Sequence, residues 1–227
     1  MGGSICIGEE ILLWLVPRQA TGKPVSEQRG VCFWAFREKR ACEAGENRQS
    51  VGALPRVGGF RQRLNKVIGN ILENNGLPGV TIHNHAAPPT APGVNLNDNV
   101  IMGNFISGNA ADTADAATPG TAGINVYSVA AVYQTQILEN TIQNEALDVV
   151  MNNPGAMDVH LNNLLGSGVG VANLGKGTVN ATVNFFGCAG GPGATGCTTV
   201  SGPAVVSSAP LSSPLGSAPS AASAMGH

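Results

Sequence analysis

The side chains that could do chemistry on an outward face cluster in the second half of this sequence and are chiefly acids. Glu139, Glu145, Asp148, Asp158 and His160 are the main group. Two carboxyls facing one groove, about 6.5–9.5 Å apart, are what an inverting glycoside hydrolase uses, one as general acid and one as general base. Asp158 and His160 are two residues apart, which on a strand sets them on the same face. His83 and His85 form an H-x-H within HNHAAPPTAPGVN (83–95), and Asp112 and Asp115 lie in a similar Ala- and Pro-containing stretch, 110–122. Such stretches read as loops, and loops on a rigid scaffold are where binding and catalysis concentrate. An isolated H-x-H is more often incidental than a metal site, and Cys6, Cys32 and Cys42 lack the close pairing that zinc needs, so no metal is assigned. Asn180-Ala181-Thr182 matches a glycosylation sequon, which matters only in a eukaryotic source.

What must position these groups is a repeat. One phrase recurs as VIGNIL (67–72), IMGNFI (101–106), ILENTI (137–142), VHLNNL (159–164) and ATVNFF (181–186). Its asparagines, Asn70, Asn104, Asn140, Asn162 and Asn184, are spaced by 34, 36, 22 and 22 residues, so the two long intervals are a 22-residue unit plus an insertion. A fixed short period marks a repeat architecture. In register, Val67, Ile101, Ile137, Val159 and Ala181 form one apolar column, and Leu72, Ile106, Ile142, Leu164 and Phe186 form a second. The positions on either side of the first column hold mixed residues such as Lys66, Gln136, Asp158, His160 and Thr182. This alternation is the period-two pattern of strands with one buried face, and like residues at like positions predict parallel stacking of successive copies. By the same alternation Asp158 and His160 share an outward face with Glu139 and Asp148 of the preceding unit, and Glu145 is also expected to point outward.

The recurring Asn suits the same picture. Its amide both donates and accepts, so a column of them satisfies itself. Asn also tolerates the left-handed conformation that a sharp corner requires. A further strand follows each turn: GVTI (79–82), GINV (123–126), DVVM (148–151) and GVGV (168–171). Three of these open on Gly, consistent with a corner at positive φ, and Asp148 replaces it in the third.

On these residues the chain resembles the right-handed parallel β-helix repeat family, the pectate-lyase-like solenoids, over about residues 64–215. Its closing segment NFFGCAGGPGATGC (184–197) is similar to the NWWG…GPG terminal coil of many secreted bacterial members. The resemblance implies an all-β fold, a right-handed parallel β-helix of about 22-residue coils, an extracellular or cell-surface setting, and a disulfide between Cys188 and Cys197 in place of two free thiols. It does not imply one activity, because the family spans lyases, hydrolases, epimerases, adhesins and inert stalks. A lyase of this kind needs a strong base, Arg or Lys, and acidic calcium ligands. Beyond residue 63 there is no Arg, and the two Lys, Lys66 and Lys176, stand at opposite ends of the repeats. That argues against a lyase, and calcium enters only if the chain is one.

Composition bounds the rest. The net charge is −2, yet ten of the twelve Lys and Arg fall within residues 1–63, so the repeats are mildly acidic and no nucleic-acid partner is expected. Residues 1–58 match no copy of the repeat and read as an irregular segment, either a cap over the first coil or a stretch foreign to the fold. ILLWLV (11–16) is too short for a membrane span and follows Glu9 and Glu10, unlike a secretory signal. Residues 59–215 form the repeat domain, in which Phe60–Leu64 suits a cap and VVSSAPLSSPL (205–215) a last edge strand. Residues 216–227 read as a disordered tail. The expected function is a carbohydrate-associated or adhesive module that binds polysaccharide or cell-surface glycan without its own catalytic centre. The alternative is a polysaccharide lyase, glycoside hydrolase or epimerase working near Asp158 and His160 or in the two loops. No membrane insertion is expected, and a homodimer through uncovered ends is compatible with such a fold.

Overall fold

The computed structural model of the chain describes residues 5–7, 33–34, 65–84, 96–114 and 118–216. All regular structure among them is strand. Two short strands come first, β1 (Ile5–Ile7) and β2 (Phe33–Trp34). The first repeat then supplies β3 (Lys66–Ile68), β4 (Ile71–Glu73) and β5 (Val80–Asn84). The second supplies β6 (Val100–Met102), β7 (Phe105–Ser107) and β8 (Ala122–Ser128); the third, β9 (Thr135–Leu138), β10 (Thr141–Gln143) and β11 (Leu147–Asn152). The fourth gives β12 (Ala156–His160), β13 (Asn163–Leu165) and β14 (Val169–Asn173), and the last gives β15 (Thr178–Asn180), β16 (Thr199–Ser201) and β17 (Val205–Val206).

Three parallel sheets result, because each strand pairs with its equivalent one repeat away. The first sheet runs β17-β15-β12-β9-β6-β3, the second β13-β10-β7-β4, and the third β1-β5-β8-β11-β14-β16, with β2 also against β5. The pairs Val67↔Ile101, Ile101↔Ile137 and Val159↔Ile137 align the first apolar column. Leu72↔Ile106, Ile142↔Ile106 and Ile142↔Leu164 align the second. Every residue of both columns is buried, and Val80, Ile124, Val149 and Val171 of the third sheet close the same core. Repeats of 34, 36 and 22 residues keep one register because the extra residues lie between strands: one insertion follows β5, and the other separates β7 from β8.

The Asn column is a hydrogen-bonded ladder. Each amide oxygen accepts from the backbone N–H and Nδ2 of the Asn one repeat earlier: Asn70 to Asn104 at 2.9 and 3.0 Å, Asn104 to Asn140 at 2.9 and 2.9 Å, Asn140 to Asn162 at 2.9 and 3.0 Å, and Asn162 to Asn184 at 2.9 and 3.0 Å. The spare Nδ2 proton reaches a strand carbonyl, as from Asn104 to Val67 and from Asn140 to Ile101, both at 2.9 Å. Asn104, Asn140, Asn162 and Asn184 are fully buried, yet each finds partners on both sides.

Two local expectations are corrected. The left-handed residue at the first corner is the one before each Asn, namely Gly69, Gly103, Glu139, Leu161 and Val183, at φ between 55° and 67°. The ladder thus frees the Asn backbone from the corner and assigns that conformation to whatever residue precedes it. Nor do the glycines that open the third-sheet strands turn a corner at positive φ. A Cβ on Gly123 would lie 2.5 Å from Ile142 Cγ2 and 2.7 Å from the Asp148 carbonyl oxygen, so close approach of the core is what excludes a side chain there.

The repeats end in two ties. Cys188 and Cys197 are disulfide-bonded. Beyond β17, Leu211 N–H donates to the Asn184 carbonyl at 2.9 Å, and Leu215 exchanges two hydrogen bonds with the Asn163 side chain, at 2.9 and 3.1 Å. Of the N-terminal segment only β1 and β2 are described, both set parallel to β5; Phe60–Leu64 and the tail from 217 lie outside the described residues.

Candidate functional site

The outer face of the first sheet carries two columns of side chains. One runs Lys66, Val100, Gln136, Asp158, Asn180 and Val206; the other runs Ile68, Met102, Leu138, His160 and Thr182, as the strand register dictates. Towards β15 the face is polar and its groups touch. Asp158 Oδ1 lies 3.5 Å from His160 Nε2 and accepts from Asn180 Nδ2 at 3.3 Å. On its other side the His160 ring meets Thr182 through Nδ1, 3.0 Å from the carbonyl and 3.1 Å from the hydroxyl. A carboxylate on one ring nitrogen and a fixed backbone oxygen on the other hold the imidazole in one orientation. Asp158 and His160 are part-exposed, so the cluster is open to a ligand. Asn180 and Thr182 could have been found from the 22-residue spacing that sets them beside Asp158 and His160.

The other acids named from the sequence do not join it. Glu139 is exposed at the left-handed corner, where its backbone N–H donates to the His160 carbonyl at 3.4 Å. Asp148 is not outward. It is fully buried at the start of β11, opposite Gly123 of β8, and two flanking pairs place Gly170 of β14 against it; in the sequence Gly168 had been matched to this position instead. The chain has just turned a corner there, so the side chain points inward, against Gly166, where a Cβ would overlap Asp148 Oδ1. Glu145 is likewise fully buried rather than outward. It occupies a second, shorter ladder that sequence reading missed, although Asn75, Asn109 and Glu145 repeat the 34- and 36-residue spacings. Asn75 Nδ2 donates to Asn109 Oδ1 at 2.5 Å, and Asn109 N–H and Nδ2 donate to Glu145 Oε1 at 2.8 and 2.9 Å.

Burial pushes both inner carboxyls above the ordinary carboxylate range. For Glu145 the loss of water dominates, opposed by the two donors of Asn109 and the nearby Thr121 hydroxyl. For Asp148 it dominates more strongly; the Gly166 N–H, 3.1 Å from Oδ2, opposes it, and the Glu145 charge adds to it.

The loop candidates divide. His83 is not in a loop: β5 continues through it, paired with Tyr127 of β8, and the two rings meet edge to face at 5.4 Å. The strand buries it, which takes it away from any open ligand site. Asp112 is buried in a closed turn, its N–H bonded to Thr118 Oγ1 at 2.7 Å and its carbonyl to Thr118 N–H at 2.8 Å. His85 and Asp115 lie outside the described residues. Among those described, no three His, Cys, Asp or Glu side chains gather as metal ligands, and no helix is long and apolar enough to cross a membrane. No protein-family model, no curated protein and no solved structure matches this chain.

Proposed function

We propose that the three parallel sheets are the faces of a right-handed parallel β-helix, and that the chain is an extracellular or surface module holding polysaccharide or cell-surface glycan along the outer face of the first sheet. The observation that carries this reading is the cluster of Asp158, His160, Asn180 and Thr182, where carboxylate, imidazole, amide and hydroxyl converge on an open, flat surface. Strands spaced about 4.8 Å apart present such groups at a regular interval, which suits a linear polymer lying across them. The Cys188–Cys197 disulfide supports an oxidising compartment. Binding without catalysis is favoured because Asp158 is the only carboxylate in the two outer columns, with Glu145 and Asp148 withdrawn into the core.

One observation favours a second reading, a carbohydrate-active enzyme. Asp158 set against His160 at 3.5 Å is an arrangement that can move a proton. Incubating the oxidised chain with plant, algal and bacterial polysaccharides, and following retention and released oligosaccharides together, separates the two. Retention without products supports the binding module. Products that vanish in Asp158→Asn or His160→Ala establish the enzyme. Neither retention nor products overturns both readings.

A further inference from the structure

We propose that Glu145 and Asp148 form a proton-held latch between neighbouring repeats, closed while the pair keeps a proton and loosened when both carboxyls ionise. In the second ladder the Asn109 amide does two things at once: its oxygen accepts from Asn75, and its nitrogen donates both to Glu145 Oε1 at 2.9 Å and to the Leu72 carbonyl at 3.1 Å. At the next rung the chain places a glutamate. Oε1 fills the role of the amide oxygen, but Oε2 is buried without a hydrogen bond of ordinary geometry; the Thr121 hydroxyl near the carboxyl is held by the Ala146 N–H at 2.8 Å. Asp148 repeats the situation three residues on: Oδ2 accepts from Gly166 N–H, and Oδ1 is buried without a partner.

A buried carboxyl oxygen without a donor is costly as part of an anion, whereas a protonated carboxyl matches an amide in having one acceptor and one donor. Among the described residues, nothing nearby offers a countercharge. From the second repeat the pair faces Asn109 and Thr121; from the fourth it faces Gly166 and Ser167, the latter bonded to the Glu145 carbonyl through N–H at 2.8 Å and Oγ at 3.2 Å. All of these are neutral. Among the described residues, the one ionisable group whose charge acts on Asp148 is Glu145. The described basic side chains, Lys66, Lys176, His83 and His160, are not among the groups that act on either. The latch spans two junctions, since Glu145 bonds back to the second repeat and Asp148 forward to the fourth.

The sign follows from linkage. Both groups have folded-state values raised above those of the unfolded chain, so their protonated forms contribute stability that is complete below the ordinary carboxylate range and is lost as pH rises through the raised values. The test is thermal unfolding of the full oxidised chain from about pH 3.5 to about pH 9, compared with Glu145→Gln, which restores an amide to the ladder, and with Asp148→Gly, which copies Gly123 and Gly170. Differences between variants at each pH cancel alkaline effects common to all. The expected result is a wild-type Tm that falls by roughly 3 °C or more relative to Glu145→Gln across that range, and a further flattening in the double variant. Should Asp148→Gly not fold, the isosteric Glu145→Gln alone decides. Parallel profiles for wild type and Glu145→Gln would overturn the latch. So would an alkaline wild-type Tm raised by calcium and lowered by a chelator, since a cation would then neutralise the pair.

Discussion

The two ladders are built on one geometry and differ in the last rung. From Asn70 to Asn184 every rung is an amide, so each carries its own donor and acceptor and the column is complete whatever the pH. From Asn75 through Asn109 to Glu145 the last amide gives way to a carboxyl, and one buried oxygen loses its partner. A change of one atom converts a permanent joint into one that needs a proton. Polar groups within a core are therefore best judged by the balance of donors against acceptors, not by polarity alone.

The largest effect should come from breaking the complete ladder. Asn140→Ala leaves Asn104 without its acceptor and the Ile101 carbonyl without its donor, at a cost of about 4 kcal/mol, and calorimetry should show Tm falling by roughly 10 °C. Next is the exchange of side-chain space between Asp148 and Gly166. Gly166→Ala should cost roughly 2 kcal/mol because the new methyl meets Asp148 Oδ1 first and the Glu145 carbonyl oxygen, at 2.7 Å, second. In an Asp148→Gly background the same change should cost at least about 1 kcal/mol less, and additive denaturant midpoints would show that the two positions are not coupled. Glu145→Gln sharpens the comparison directly: it should stabilise the chain by about 1 kcal/mol at neutral and alkaline pH, with the gain disappearing in acid. The smallest change in stability belongs to the surface. Asp158→Asn should move the unfolding free energy by less than about 0.5 kcal/mol, while glycan retention, if the proposed face is correct, drops about tenfold or more.

The apolar columns and the first ladder were legible because one residue type, or one class, returns at each equivalent position, and a parallel sheet converts that spacing directly into contact. The corner was not. Its left-handed residues are Gly69, Gly103, Glu139, Leu161 and Val183, which share a backbone conformation but no chemistry, so the position left no trace in composition. Asp148 was misplaced for a related reason. Gly168 and Gly170 both follow the fourth corner, and only strand pairing decides which of them stands opposite it. His83 reads as loop because HNHAAPPTAPGVN (83–95) is rich in Pro and Ala, whereas β5 runs on through it to meet Tyr127. At the surface, Asp158 and His160 were found from alternation within one strand. Asn180 and Thr182, their partners, required reading across repeats.

The direction of donation in the first ladder gives the stack two unlike ends. From Asn70 to Asn162 each Nδ2 gives one proton to the Asn of the later repeat, whereas the Asn184 Nδ2 turns to the carbonyls of Val159, Ala181 and Thr182, and Leu211 N–H donates to that residue's own carbonyl. At Asn70 the Nδ2 donates both to Asn104 Oδ1 and to the Ile68 carbonyl, at 3.0 and 3.1 Å. Among the described rungs the row is thus a one-way chain of donors, and its C-terminal end is closed by the chain's own carbonyls and the Leu211 N–H.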